Sequence, residues 1–198
     1  MSLMGLLTTR GERALDTLLF ALVVLTCGYF HGGGWLNQNS RFNAMVAFVE
    51  PGTPDQGTFR IDRFMRDDEG RLTDPPPPPG VNTGDWAWAP ADGVAEPAAG
   101  ERQGHYYSNK APGPQLLGAA VYGTLFAAES LIGIDPRAST ALELNLYLVN
   151  LVVSVVPVAL ATVVFRWLLL HLGFGHRRAL GLTLILAFAT LLFPYSTQ

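Results

Sequence analysis

The stretch His105-Tyr106-Tyr107-Ser108-Asn109-Lys110-Ala111-Pro112-Gly113-Pro114 stands where a long polar segment gives way to an apolar one. Lys110 is the one lysine among 13 basic residues. Lysine is a compact point charge with three rotatable donors. Set after two tyrosines and before Pro-Gly-Pro, at a boundary between water and lipid, it is placed to hold a phosphate at a membrane surface. The same residues also suit an interfacial anchor, because Lys and Tyr gather at span ends and Pro opens helices.

The reading of Lys110 depends on what lies to either side. The chain has 198 residues, 49% hydrophobic and 15% charged. The apolar residues fall in four blocks: Thr17 to Leu36 without a formal charge, Ala111 to Ile134 with only Glu129, Leu144 to Phe165 without charge, and Ala179 to Gln198 without charge. A membrane span needs about 20 mostly apolar residues. The expected fold is therefore all-α and integral to a membrane, with about four transmembrane helices and a large extracytoplasmic loop carrying a surface-lying helix. Residues 1–16 form a cytoplasmic N-terminus, 17–36 the first span, 37–110 the loop with an interfacial helix near 40–50, and 111–198 spans two to four. The third block continues through Arg166 to His171, which predicts a long or tilted helix with Pro157 as a kink.

Arg10 and Arg13 before the first block favour a cytoplasmic N-terminus, and hence an outer loop. Simple alternation over four spans then leaves Arg137 inside. It puts Arg177 and Arg178 outside, against the tendency for basic residues to stay inside. The composition, rich in Arg, Ala, Gly and Pro, suggests a bacterial source and so the bacterial inner membrane. A net charge of −3 makes no case for nucleic acid. The segment Asn37 to Gly113 carries seven basic and eleven acidic residues, a net −4, so a phosphate would be held by a few placed cations. The single cysteine, Cys27, excludes an intramolecular disulfide and a Cys-based metal cluster.

Within the loop, Phe42, Met45, Val46 and Val49 recur at helical spacing, with Ser40 as a cap and Arg41 near the head of the helix. Its apolar face suits the membrane surface or the rest of the loop. Pro51 to Gly104 reads as loop, with Phe59 to Phe64 a short strand or extended segment and Pro75 to Pro79 an extended spacer. Asp62, Asp85 and Asp92 are loop carboxylates. Asp85, beside Trp86, suits a general base, whereas Asp62 between Arg60 and Arg63 also suits an ion pair. Asp92 before Gly93 reads as a turn. His31, His105, His171 and His176 are too scattered to gather a metal. Glu129 is an acid inside an apolar block, and Asn145 and Asn150 suit bonds between helices.

Taken in order, these features resemble the N-terminal part of a GT-C type membrane glycosyltransferase. The resemblance is to the lipid-carrier-dependent branch that includes aminoarabinose and protein O-mannosyl transferases. Asn39-Ser40-Arg41-Phe42 after the first span matches its arginine-headed surface helix, and Tyr107-Ser108-Asn109-Lys110-Ala111-Pro112 its Tyr-x-x-Lys-Pro-Pro-like element. The resemblance implies a periplasmic site and transfer from a polyprenyl-phosphate-linked sugar to an extracytoplasmic acceptor. Lys110 and Arg41 would hold the donor phosphate, with Tyr107 and His105 in support. The family's acid just before the arginine is replaced by the amides Gln38 and Asn39. That leaves Asp85, and after it Asp62, to activate the acceptor. The family carries roughly twice as many spans or more, so the chain is expected to be the front of a longer protein, inactive alone. The rival reading is a non-catalytic membrane subunit whose outer loop binds a partner, and a transporter is a third.

Overall fold

The computed structural model describes residues 10–30, 36–64, 86–90, 104–190 and 192. Asp85, Asp92, His31 and the Pro75–Pro79 run lie outside them. The chain divides into two units, Met1–Gly32 with Asn150–Gln198, and Gly33–Val149. Five helices dominate: α1 (Arg10–Tyr29), α2 (Leu36–Val49), α3 (Pro112–Leu131), α4 (Ser139–His171) and α5 (His176–Phe188). Two short strands, β1 (Trp86–Pro90) and β2 (Gly104–Ser108), pair antiparallel from Trp86↔Ser108 to Pro90↔Gly104.

Among the described residues one helix, α4, is long and apolar enough to cross a membrane, judged by length and composition. This corrects the expectation of about four. A block free of charge is not yet a spanning helix, because helices recruit the residues flanking each block. α1 starts at Arg10 and takes Glu12, Arg13 and Asp16 into its first turns. α3 opens on Pro112-Gly113-Pro114-Gln115, which dilutes its apolar length. The 13 residues of α5 reach about 20 Å, short of a hydrocarbon core about 30 Å thick.

α4 is interrupted by one π-helical turn, Leu151–Val155, with the Val156 N–H bonded to the Leu151 carbonyl. Pro157 lacks an N–H, and in a regular α-helix its ring would press on the carbonyl four residues back. The wider turn lies where that clash would fall.

In the first unit, α1 and α5 pack on the C-terminal part of α4. Val23, Cys27, Val155, Ala159 and Ala187 form the core, flanked by Phe20, Val24, Leu151, Val158 and Phe188. Polar groups are buried with them: Asp16, Thr162, Arg166 and Thr183. Thr162 and Thr183 each donate to the carbonyl four residues back, at 2.7 and 2.8 Å, so burial leaves neither hydroxyl unpaired. Leu18, Leu22, Leu25, Leu160, Val164, Leu168 and Ile185 face outward.

In the second unit, α2 is the buried helix. Phe42, Met45 and Val46 turn inward, as their spacing predicts, but Ala44 and Ala47 are equally covered. α3 meets one side of the helix. The Phe42 ring lies edge-on to Tyr122 at 5.3 Å, and Gly118 lets the Met45 thioether come so close that a Cβ there would collide with it. On another side Ala44 packs with Ile61, Tyr106, Phe59, Phe64 and Trp86. The expected surface-lying helix is therefore corrected: its apolar face is spent on protein. Helical spacing predicts an apolar face without saying what covers it. The helix also starts at Leu36, four residues before the expected cap, which puts Arg41 in its second turn.

Candidate functional site

β2 organises the site because its side chains alternate between two faces. Tyr106 is buried against α2 and Ile61, while His105 and Tyr107 point to the other face. β1 covers one edge of β2. The segment Arg60–Asp62 covers the other, through an Arg60↔Tyr107 bridge and a 2.9 Å bond from the Ile61 N–H to the Tyr106 carbonyl. The extended segment expected at Phe59 to Phe64 is thus a single bridge followed by a 3₁₀ turn, Asp62–Phe64. That turn fixes Asp62.

Asp62 is buried, and both its oxygens are used on β2. Oδ1 accepts the Tyr106 N–H at 2.7 Å, and Oδ2 lies 2.6 Å from His105 Nδ1. Its side-chain partner is therefore His105, and neither flanking arginine. With Nδ1 held by a buried carboxylate, the imidazole is oriented and Nε2 is left facing away from Asp62. Tyr107 lies beside it, the two rings edge-on at 6.5 Å. Asp55 is buried nearby. Its carboxyl is raised above the usual carboxylate range, first by desolvation and then by the negative charge of Asp62.

At the other end of β2, about 10 Å along the strand, a second arrangement forms. Ser40 Oγ donates to Ser108 Oγ at 2.8 Å. Gln115 Nε2 donates to the same oxygen at 2.9 Å and to the Lys110 carbonyl at 3.2 Å. Residues 68 positions apart in the chain are thereby locked together. The lock places Arg41, next to Ser40, in the neighbourhood of Lys110, two residues beyond Ser108. Ser40 thus tethers the strand end and does not cap α2. Arg41 is half-buried, and its Nε is buried without a hydrogen-bond partner.

The structure therefore joins Asp62 to His105 and brings the Arg41 segment to the Lys110 turn. His105 and Tyr107 belong to the Asp62 arrangement, whereas the resemblance had put them with the phosphate cations. Asp85 lies outside the described residues. Among those residues no three His, Cys, Asp or Glu side chains gather around a potential metal position.

One cluster escapes a sequence reading. Glu50, buried just past the end of α2, accepts from Tyr122 Oη at 2.9 Å, Arg63 Nη1 at 2.8 Å and Arg137 Nε at 3.2 Å. Arg137 Nη2 also donates to the Pro51 carbonyl at 3.2 Å. The available signal was an acid at a helix C-terminus, where the helix dipole disfavours negative charge and a cation must compensate. Asn145 Nδ2 donates to Glu129 at 2.9 Å, so the acid inside the apolar block is joined to the next helix, as the asparagine suggested. Compared with family models, with curated proteins and with solved structures, the chain matches none.

Proposed function

We propose that the chain belongs to a bacterial inner-membrane enzyme that transfers a sugar from a polyprenyl-phosphate donor to an acceptor outside the cytoplasm. Lys110 and Arg41 hold the donor phosphate. The observation that carries this reading is the Ser40–Ser108–Gln115 lock, which joins the two chain segments that carry these cations. Preplaced cations stabilise the charge that develops on a departing phosphate. Acceptor activation falls to His105, with Asp62 holding the imidazole in the orientation a general base requires. Membrane insertion is supported by the length of α4 and by the first unit, which buries Asp16 and Arg166 and turns leucines outward. Buried ionic groups beneath an apolar exterior suit lipid as the surrounding solvent.

The test is binding of a polyprenyl phosphate to the detergent-purified chain, with the uncharged polyprenol as control. The phosphate form should bind more tightly. Lys110→Ala and Arg41→Ala should each lose about tenfold or more, the scale of a charge-assisted hydrogen bond. Unchanged binding by Lys110→Ala would remove the phosphate site. Sugar transfer in membranes containing the protein should fall in His105→Ala, and less in Asp62→Asn, with donor binding retained in both.

A further inference from the structure

We propose that α3 does not cross the bilayer. It lies along the membrane face that carries Lys110 and the α2–Asp62 segment packed beside it, with its outward apolar stripe in lipid, and α4 is the crossing that follows it. The inference rests on the membrane reading of the chain and is independent of the transferase reading.

Two observations carry it. The first is that both ends of α3 are tied to one small structure. Gln115, in its first turn, is bonded to Ser108 and to the Lys110 carbonyl. The connection after it returns Arg137 to Glu50 and Pro51, and Glu50 also binds Arg63, the neighbour of the Asp62 that holds His105 and Tyr106. The Arg137 guanidinium stacks at 5.4 Å over Phe126, and Glu50 meets Tyr122. Those rings lie 10 to 14 residues into α3, about 15–21 Å from its start. In a spanning α3 that level is deep hydrocarbon. It would hold a guanidinium on a side chain that is 48% exposed, together with the exposed backbone of Pro51, Gly52, Gln56 and Gly57. Lipid-exposed irregular backbone does not occur at that depth.

The second observation is the exposed stripe on α3. Leu116, Leu117 and Leu131 are open, aligned with the exposed Ala120, Ala127 and Ala128, while Gln115, Gly118, Ala119 and Tyr122 are buried. A helix covered on one face by protein and apolar on the other suits the boundary between headgroups and acyl chains.

The experiment labels single-cysteine variants with a membrane-impermeant maleimide, in intact cells and after permeabilisation, in a Cys27→Ala background. Gln56→Cys and Ala138→Cys should react from the same side, and Arg178→Cys from the other. Ala138→Cys and Gln56→Cys reacting from opposite sides would overturn the proposal, as would Arg178→Cys reacting with Gln56→Cys. Asp135→Cys reads the same connection if Ala138→Cys fails to accumulate. Retaining the buried Cys27 provides a second background. Spin labels on Leu117→Cys and Leu131→Cys in phosphatidylethanolamine–phosphatidylglycerol vesicles should show shallow lipid exposure. Full accessibility to an aqueous nickel chelate, or a label at the bilayer centre, would equally sink it.

Discussion

The two units differ in what they bury beside their apolar cores. The first sets an ion pair and two threonines next to Val23, Cys27, Val155, Ala159 and Ala187. The second packs Phe42, Met45, Val46 and Ile61, and matches its buried carboxylates to cations and backbone donors. Both carry exposed leucines, Leu18, Leu22 and Leu25 in the first and Leu116, Leu117 and Leu131 in the second. Water rewards burial of apolar area, whereas in lipid polar contacts between helices become the specific ones. A single apolar percentage for the chain hides that difference.

The largest effect that tests this contrast belongs to the buried pair. Arg166→Met should leave Asp16 without its cation and cost about 3–5 kcal/mol in thermal unfolding in detergent. The double variant Asp16→Leu with Arg166→Met should recover most of that loss, because an apolar replacement suits the site. A single variant near wild type would mean the pair contributes little and the contrast is superficial.

Next comes Glu50→Ala in the second unit. It removes the acceptor of Tyr122, Arg63 and Arg137. The loss should be about 2–3 kcal/mol, smaller because both arginines are partly hydrated. Limited proteolysis should show earlier cutting near Pro51 to Gly57, with the first unit intact. If both units loosen together, they are not separately stabilised. Gly118→Val should cost about 1–2 kcal/mol by forcing Met45 out of its place between α2 and α3.

The smallest effect is that of Asp55. Its folded carboxyl is raised above 3.8 by burial, so the fold disfavours the ionised form. The penalty is absent below 3.8, grows as pH rises towards the folded value and is complete above it. Asp55→Asn should therefore stabilise slightly at neutral pH, with the gain vanishing in acid. A gain that persisted below pH 3.8 would point to packing and not charge.

What the sequence made legible was local. The spacing of Phe42, Met45, Val46 and Val49 was enough for α2, and the Pro-Gly-Pro run for the start of α3. Asn145 announced its bond to another helix. What stayed illegible was long-range. Arg166 finds Asp16 across 150 positions, and the charge-free block from Thr17 gave no reason to start the helix at Arg10. The strands were missed because each is five residues long. They are fixed by partners that no local pattern names, such as the Trp86 and Tyr106 rings packed edge-on at 5.0 Å. Asp62 was read through its sequence neighbours, while its partners came from β2.

The π-turn at Leu151–Val155 sits where the Pro157 ring would otherwise press on the Val153 carbonyl. A proline inside a helix ordinarily kinks or breaks it. The widened turn lets α4 take in a residue that cannot donate and still continue to His171. The irregularity is thus the helix's tolerance of proline, and any reckoning that scores each turn on its own would count it as a defect.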